Sequence, residues 1–529
     1  MMSLAPQIDF QGLNSRQDIS KIPDEKSIFL RNVSLSKLGT LVKRFGSSIL
    51  GKPSIALLIQ GAIEYYQYSG TRSIIAMSNG NINSFDGSNW RTIASSVFTP
   101  TPLVNMALFN NKVYMVSPND NLISLDSNNQ IVTVGDNGNQ ISGKNICQIQ
   151  NTLFISNITG VGGYSVSQQD RCYFSFTNGS ISTDQFYTNA AGQNTILTSQ
   201  RFFTLHSPII ASFAFGVTGL SYHFTEDACY QFDLRTTSNL LGPQKVFNIG
   251  ICGSRAICEC NGFMIFMDKN GRIWVWGGTG LPSNISIDID DDMYGDSLIA
   301  SLNKANLSSV AAGSLLNHFY FSIGNITFQN EVLNNVIIKG MISQNIYKIP
   351  QAIFSHDDYP VQANIFLKAK LNNIDNLFFG SNSTGDIWQM NVNQYNDNNA
   401  AIPMEVMTKF LNFGEYFNSK ESTELFIKYR PQTYFKNYLV VSYAINSNIN
   451  YTIISDPVNN VQGNGIINMY DLAAPLLKEA IGVIKMPSLG SVQTIGYKFG
   501  HYINNVGCEI AGYAPRISMA EINVTVLNS

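Results

Sequence analysis

The densest group of potential metal ligands lies in the acidic run IDIDDDMYGDS. Asp288, Asp290 and Asp292 alternate there, and carboxylate oxygens are the ligands that Ca²⁺ and Mg²⁺ prefer. An EF-hand loop starting at Asp288 would need Gly at its sixth position and Glu at its twelfth, where this chain has Met and Ile. An acidic first turn that stabilises a helix over residues 294–313 also explains the run. We therefore predict no resident metal. If a cation does bind, Asp288, Asp290 and Asp292 are its candidate ligands.

A second stretch, GNQISGKN at residues 138–145, has the G-x4-G-K spacing of a phosphate-binding loop. Such a loop needs Ser or Thr after the lysine to bind Mg²⁺, and then a helix whose first turn holds the phosphate. Here Asn145 follows Lys144, and the next residues, ICQIQNTLFIS, have the pattern of a strand. The stretch is therefore predicted to be a polar hairpin, and no cofactor is expected.

Residues suited to nucleophilic or acid–base catalysis are dispersed along the chain. Of the five histidines, only His356 has neighbouring acids, in SHDDYP, which is typical of a loop. Cys258 and Cys260 alternate on a predicted strand and lack the C-x2-C spacing of a zinc site. The stretch SFDGSNW (84–90) resembles the Asp box S-x-D-x-G-x-T-W of sialidases, but it lacks the residue between Asp and Gly and does not recur. We predict a protein that is not an enzyme.

The composition favours an all-β fold. Asn supplies 58 of the 529 residues, and charged residues supply only 13%. Asn and Gly favour turns over helix, whereas the abundant Ile, Val, Phe and Tyr favour strands. The net charge of −3, with no basic tail, argues against a protein that holds nucleic acid by neutralising phosphates.

Turn signals recur between short apolar runs at a spacing of about 40 to 55 residues, as repeat architectures require. The stretch SIIAMSNGNINSFDGSNWRTI (73–93) has Asn-Gly and Asp-Gly turns, and residues 107–134, 258–278 and 374–391 repeat its pattern. Regular clusters of strands at this spacing predict a β-propeller of six to seven blades over residues 56–403. A pair of β-sandwiches is the alternative.

The two flanking segments have a different rhythm. Residues 1–55 contain few strand-like runs and are predicted to be an N-terminal arm or docking segment. Residues 404–529 have longer alternating runs and are predicted to form an antiparallel β-sandwich, with a helical insertion near 471–484. The first residues lack the pattern of a signal peptide, and no apolar run has the length of a membrane span, so we expect synthesis in the cytoplasm.

Three segments resemble a group of tailed-phage proteins. Residues 10–50 carry Phe-x-Gly, Pro, L-x-N and G-x-L-x-x-R-x-G in the order that leads into the first blade of that group. The matching residues are Phe10, Gly12, Pro23, Leu30, Asn32, Gly39, Leu41, Arg44 and Gly46. Residues 227–278 and 492–513 are similar to the central and closing segments of the packaged-DNA stabilisation, or tail hub, proteins of short-tailed phages. The related nozzle proteins also contain propellers, so the choice between hub and nozzle stays open.

The resemblance implies a structural virion protein, made in the host bacterial cytoplasm and located in the tail. Its copies, six by expectation, would form a ring below the portal and adaptor. Together with other tail proteins, the ring would form or close the DNA channel, retain packaged DNA and guide ejection without sequence-specific binding. Candidate contacts to the neighbouring ring are Arg31, Lys37, Lys43 and Arg44; surface solubility is the alternative role for each.

A second hypothesis belongs to another class of function. Many propellers act on sugars, so a carbohydrate-binding or glycan-degrading propeller that recognises a host cell surface is the alternative. Paired carboxylates and aromatic platforms in one cavity would support it.

Overall fold

The computed structural model is built almost entirely of β-strands. It describes residues 2–519, except for 5–6, 17–21, 38, 54–56, 135–139, 150, 162–163, 176, 179–180, 183–201, 234–241, 291–296, 345–349, 413–419, 431–436, 454–465, 469–479 and 487–491. No helix in these ranges is long and apolar enough to cross a membrane.

Five strands precede the propeller. They are β1 (Met2–Leu4), β2 (Ser27–Arg31), β3 (Val33–Lys37), β4 (Thr40–Lys43) and β5 (Gly46–Gly51).

The first five blades follow in chain order, each a four-stranded antiparallel sheet. Blade 1 has β6 (Ile59–Tyr66), β7 (Arg72–Ser78), β8 (Asn81–Phe85) and β9 (Trp90–Ala94). Blade 2 has β10 (Asn105–Phe109), β11 (Lys112–Val116), β12 (Ile123–Leu125) and β13 (Ile131–Thr133). Blade 3 has β14 (Ile141–Ile149), β15 (Thr152–Val161), β16 (Tyr164–Phe174) and β19 (Phe202–Thr204), with a small hairpin of β17 (Thr177–Asn178) and β18 (Ile181–Ser182) inserted. Blade 4 has β20 (Ala211–Phe215), β21 (Leu220–Phe224), β22 (Cys229–Phe232) and β23 (Gln244–Phe247), and blade 5 has β24 (Ile257–Cys260), β25 (Phe263–Met267), β26 (Ile273–Trp276) and β27 (Ser283–Asn284).

Two short 3-10 helices, Ile287–Ile289 and Lys304–Ser309, lead into blade 6. Blade 6 has β28 (Ala311–Leu315), β29 (His318–Phe328), β30 (Glu331–Gln344) and β31 (Pro350–Asp358). Blade 7 has β32 (Ala363–Leu371), β33 (Ile374–Ser381) and β34 (Ile387–Val392), and its fourth strand is the N-terminal β5. The ring is thus closed by a strand from the opposite end of the propeller sequence.

The blades pack around one axis through their first strands. Strand β6 contacts β10, β10 contacts β14, β14 contacts β20, β24 contacts β28, β28 contacts β32, and β32 returns to β6. Blades 4 and 5 meet through aromatic rings, with the Phe224 and Phe266 centroids 5.2 Å apart. The predicted β-propeller is confirmed. It has seven blades, which agrees with the predicted six to seven.

Asparagine is the main non-glycine residue at the described positions with positive φ. Of the 21 non-glycine residues described with positive φ, 17 are Asn, a residue that tolerates the left-handed region because its short amide bonds to nearby backbone. The Asn79-Gly80 turn of blade 1 has φ values of 53° and 72°, as a hairpin turn of this type requires. Of the 58 Asn residues in the sequence, these 17 adopt a backbone conformation that most other residues avoid.

The C-terminal strands form a two-layered sandwich with the N-terminal segment. They are β37 (Met404–Thr408), β38 (Lys420–Arg430), β39 (Tyr438–Ile445), β40 (Thr452–Ile453), β41 (Ile466–Asn468), β42 (Ala480–Lys485), β43 (Ile495–His501) and β44 (Glu509–Met519). Before them, β35 (Asn396–Asp397) and β36 (Ala400–Ala401) form a separate hairpin. One layer has the order β3-β4-β44-β38-β42, with β1 also on β44, and the other includes β2-β37-β43-β39. Tyr497 and Tyr513 meet between the layers with centroids 6.0 Å apart.

The N-terminal segment, predicted to be an arm or docking segment, docks on its own chain. Strand β2 pairs in parallel with β31 of blade 6 and antiparallel with β37, so one continuous sheet runs from the propeller into the sandwich. Strands β3 and β4 form a hairpin beside β44, and β5 completes blade 7.

The helix predicted over 294–313 differs from the structure, and so does the described end of the helical insertion predicted near 471–484. Within 294–313, the described residues form turns, the second 3-10 helix and the start of β28, where the backbone of Gly313 lies against Phe366. Residues 471–479 lie outside the described residues, and 480–485 form β42, in which Val483 pairs with Phe426. In β28 and β42, tertiary strand pairing outweighs helix propensity.

Candidate functional site: the junction of propeller and sandwich

Strand β2 brings the predicted contact residue Arg31 into an ion-pair network between blade 6 and the sandwich. The guanidinium donates from Nε and Nη2 to the two carboxylate oxygens of Asp358, at 3.0 and 2.9 Å, and from Nη1 to Glu405 at 2.9 Å. Burial works against the charged form of Asp358, but the hydrogen bonds and charge of Arg31 outweigh it and hold the Asp358 pKa below its usual value. The network joins β31 to β37 across β2.

Arg44 lies deeper in the same junction, with 1% of its surface exposed. Its Nη1 and Nη2 donate to the two oxygens of Asp397 at 3.0 and 2.6 Å, and its Nε donates to Asn32 at 2.8 Å. The guanidinium also stacks 4.1 Å from the centroid of the Tyr359 ring. Burial alone would lower the Arg44 pKa, but the Asp397 carboxylate raises it, so Arg44 is charged in the folded chain.

Lys43, next in the chain, is also buried. Its ammonium donates to the carbonyl of Ile503 at 2.8 Å and lies 3.4 Å from Nδ1 of His501. Burial lowers the Lys43 pKa to about 8 and the His501 pKa to about 3, so His501 is neutral at physiological pH. His501 in turn bonds through Nε2 to Asn437 at 2.6 Å.

A second layer of buried polar groups lies in blade 6 beside these pairs. Asp357 is 1% exposed, and its Oδ1 has no hydrogen-bond partner among the residues described. Lys339, which is also buried, donates to the hydroxyl of Ser34. Burial raises the Asp357 pKa and lowers the Lys339 pKa, while the charge of each partly offsets the shift of the other.

These positions determine what the four predicted ring contacts can do. The burial of Arg44 and Lys43 contradicts a role for these side chains in touching a neighbouring ring, since their polar atoms already bond within the chain. Arg31 is half-buried, and its role as a contact stays a prediction. Lys37 ends β3, and its side chain lies outside the described part of the chain.

The candidate metal ligands bind cationic side chains. Asp288 accepts a hydrogen bond from Lys26 at 2.8 Å, and Asp290 accepts one from Arg272 at 2.7 Å. Asp292 lies outside the described residues. Within the described ranges no three potential ligands come together as a metal site.

The other candidate motifs lie in ordinary strands and turns, as far as their residues are described. Lys144 and Asn145 of the phosphate-loop pattern lie in β14, a strand rather than a helix start. His356 lies in β31, not in the predicted loop, because its strand pairs with β30 and its ring packs edge-on against Phe29 at 4.6 Å. The Asp86-Gly87 turn of the near Asp box is an Asx turn, in which the Asp86 carboxylate accepts from the Ser88 backbone at 2.9 Å.

A serine–histidine pair that the sequence did not reveal lies between blades 3 and 4. The hydroxyl of Ser212 lies 2.9 Å from Nδ1 of His223, and Nε2 of His223 lies 3.2 Å from the Ser221 hydroxyl. Phe154 and Phe203 cover the ring, and burial lowers the His223 pKa to about 3, too low for an effective general base near neutral pH. No carboxylate orients this histidine in the described part of the chain, so the pair does not form a hydrolase triad.

Arg255 occupies the propeller axis, which the sequence also did not reveal. From the segment before β24 it donates to the carbonyls of Gln60 at 2.5 Å and Val104 at 3.1 Å, and to the carbonyl of Asn364 at 3.1 Å. One side chain therefore links blade 5 to blades 1, 2 and 7. Burial lowers its pKa to about 10, and its hydrogen-bond acceptors among the described residues, these three carbonyls and the side-chain oxygen of Asn105, are uncharged.

No family model matches the chain, and no curated protein matches it either. Among solved structures, the chain is similar to YCF48 bound to a D1 peptide, at 9% identity and a TM-score of 0.37, over 68% of this chain and 97% of that one. It is also similar to BamB from Moraxella catarrhalis, at 12% identity and a TM-score of 0.36, over 66% of this chain and 98% of that one. These values carry no functional information, and the propeller is defined by its own closed ring of blades.

Proposed function

We propose that this chain is a non-enzymatic structural subunit of a phage tail, a hub or nozzle protein whose copies form a ring around a DNA channel. In this role it retains packaged DNA and guides its ejection. Its partners are further copies of itself, six in all by expectation, and the portal, adaptor and other tail proteins next to the ring.

The observation that carries the proposal is the convergence of the three segments that resemble tail hub proteins. Residues 10–50, 227–278 and 492–513 are far apart in sequence, yet all three contribute to one contiguous hydrophobic core. Phe10 and Tyr513, from the first and last of these segments, pack with ring centroids 5.6 Å apart. The resembling segments thus constitute one packed body, which supports a common role for them.

The propeller axis bears on where a DNA channel would run. Arg255 alone bridges blades 5, 1, 2 and 7. A bore spanned by one side chain cannot admit a DNA duplex, whose major groove alone is about 12 Å wide. We therefore propose that the channel lies between subunits, at the centre of the ring of copies.

The charge of the chain supports a conduit rather than a DNA-holding surface. The net charge is −3, and the basic side chains of the junction, Arg31 and Arg44, are engaged by carboxylates of the same chain. Since tight DNA binding comes mainly from cationic side chains that displace counterions, such a surface lets DNA pass with weak, sequence-independent contact.

The test is the size and shape of the purified chain, measured by light scattering and negative-stain microscopy. Rings with a fixed number of subunits support the proposal. A chain that stays monomeric, alone and with portal and adaptor proteins, and that binds or cleaves a polysaccharide would overturn it in favour of the glycan-recognition alternative.

A further inference from the structure

Arg255 brings a positive charge to the propeller axis, at the end where the first strands of the blades begin. Three backbone carbonyls and the side-chain oxygen of Asn105 accept its hydrogen bonds, and none of these groups carries a charge. Arg31 and Arg44 differ in this respect, because each donates to both oxygens of a carboxylate. In the described part of the chain, no carboxylate is hydrogen-bonded to Arg255 to balance its charge.

The surroundings of Arg255 make this charge costly. Burial lowers its pKa to about 10, and no carboxylate among the described residues raises it again. At Arg44 the Asp397 carboxylate reverses the same effect of burial. Since a cation taken out of water without a partner is strongly unfavourable, buried charges are normally paired. A negative partner from outside the chain would remove the cost at Arg255.

The side chains around the guanidinium also have N–H donors to spare. A guanidinium has five N–H groups, and Arg255 uses four of them, one at Nε, one at Nη1 and two at Nη2. The Asn105 amide donates to the Lys144 carbonyl at 2.6 Å, and the Asn364 amide donates to the Ile59 carbonyl at 2.7 Å. Each amide has a second N–H. Among the residues described, one N–H each of Arg255, Asn105 and Asn364 is therefore left without an acceptor.

These three side chains meet at the mouth of the bore. Nε of Arg255 lies 3.3 Å from Oδ1 of Asn105, and Nη1 lies 3.1 Å from the carbonyl of Asn364. Asn105 and Asn364 lie at the start of the innermost strands of blades 2 and 7, and Arg255 lies just before the innermost strand of blade 5. All three are half-buried, so part of each surface borders accessible space although the blades surround them. The spare donors therefore surround one accessible position on the axis.

We propose that the propeller binds a small monovalent anion, chloride, at the mouth of its bore, held by Arg255, Asn105 and Asn364. A single unbalanced positive charge matches a single negative charge. N–H donors from three separate side chains suit a compact ion that can accept hydrogen bonds from several directions. The site lies within one chain, so it does not depend on the proposed ring of copies.

The bound anion has a structural role. Arg255 links blade 5 to blades 1, 2 and 7, and an anion beside it cancels the charge that burial makes unfavourable. Because the three donors come together only in the folded propeller, the anion binds the folded chain and not the unfolded chain. Its binding therefore stabilises the closed ring of blades, and the stability rises with the logarithm of the anion concentration above its Kd.

The first test is the thermal unfolding midpoint of the full chain at constant ionic strength. Chloride replaces gluconate, a much larger anion, so that only the identity of the anion changes. The midpoint should rise by about 2 to 5 °C when the chloride concentration increases from far below Kd to about 100 times Kd. A midpoint that does not respond to chloride would overturn the site.

Three variants show whether the response comes from the axis. Arg255→Met removes the charge and should abolish the response. Asn364→Ala keeps the charge but removes one donor, so about tenfold more chloride should be needed for the same rise. Arg91→Met, at an exposed position of β9, is the matched control and should respond like the natural chain. An equal response in the natural chain and the Arg255 variant would place the effect elsewhere and overturn the site.

Bromide gives a direct readout that needs no variant. Crystals of the natural chain grown in sodium bromide should show an anomalous scattering peak at the Arg255 guanidinium, between Asn105 and Asn364. Peaks confined to the outer surface of the protein would overturn the site. A midpoint that rises with formate but not with chloride would overturn chloride as the occupant in favour of a carboxylate.

Discussion

Arg44 and Asp397 form a two-pronged ion pair at the point where the chain enters the propeller and the point where it leaves. The two side chains are 1% and 7% exposed and lie 353 positions apart in sequence. Asp397 also accepts hydrogen bonds from the backbone N–H and the hydroxyl of Ser47, both at 2.8 Å. The pair therefore holds β5, the strand that completes blade 7, against the segment that follows that blade.

Replacing Arg44 with Met should destabilise the fold strongly. The substitution leaves the Asp397 carboxylate buried without its cation, which costs about 3 to 5 kcal/mol of unfolding free energy. Urea unfolding followed by circular dichroism measures the loss. Arg516→Met is the matched control, because it breaks the more exposed pair with Glu424 and should cost only about 0 to 1 kcal/mol. Equal losses in the two variants would contradict a structural role for Arg44.

His356 should make the fold sensitive to acid. It is fully buried against Phe29 and Phe328, and neither ring nitrogen has a hydrogen-bond partner among the residues described. Burial lowers its pKa to about 3; the nearby Asp358 and Glu405 raise it and Arg31 lowers it further, but burial dominates. The unfolded chain, with a histidine pKa of about 6.5, then binds a proton that the folded chain excludes.

The resulting stability is complete above about pH 6.5 and falls as the pH drops toward 3. His356→Phe should lower the slope of unfolding free energy against pH by about 1.4 kcal/mol per pH unit between pH 6 and 4. Urea unfolding at several pH values measures the slope. A slope that does not change in the variant would mean that His356 is not held neutral in the folded chain.

Arg255 should hold the centre of the propeller together. Arg255→Met removes its hydrogen bonds to Gln60, Val104 and Asn364 and should cost about 2 to 4 kcal/mol, because charged donors make the stronger hydrogen bonds. Hydrogen exchange should quicken first in β6 and β10. Arg91→Met, at an exposed position of β9, is the control and should leave exchange in these strands unchanged. Unchanged exchange in the Arg255 variant would show that the axis is held by the blades alone.

Gly46 should be indispensable for closing the ring. A Cβ atom at this position would lie 1.7 Å from the backbone oxygen of Asn396 in β35, so Gly46→Ala pushes the start of β5, the strand that completes blade 7, away from the segment that follows that blade. We expect a loss of about 3 kcal/mol and faster proteolysis between residues 46 and 58. Gly216→Ala, where the nearest atom is 3.7 Å away, is the matched control. Identical proteolysis of both variants would contradict closure by β5.

The sequence predicted the features of this fold that depend on neighbouring residues. The Asn79-Gly80 turn is recognisable because both residues favour positive φ, and repetition of such turns predicted the blades. The closure by β5 could not be predicted this way. Its partner β34 lies more than 330 residues away, and the residues of Gly46–Gly51 carry no local signal of which strand they will join.

The candidate site divides in the same way. The pattern G-x-L-x-x-R-x-G singled out Arg44, but only the tertiary structure shows that its partners are Asp397 and Asn32 inside the chain. The sequence around Arg255, CGSRAIC, contains no recognisable motif. The acceptors that hold Arg255 in place are backbone carbonyls of three other blades, so no nearby residue type indicates them. Residues defined by distant backbone contacts leave no periodic signal in sequence.

An electron-microscopy map of the particle that contains this chain would show directly whether its copies form a ring in a phage tail. We expect several seven-bladed propellers arranged symmetrically around the tail axis next to the portal and adaptor, with the channel between them and no DNA through any propeller. Single propellers at the ends of fibres, or a particle without this chain in its tail, would contradict this expectation.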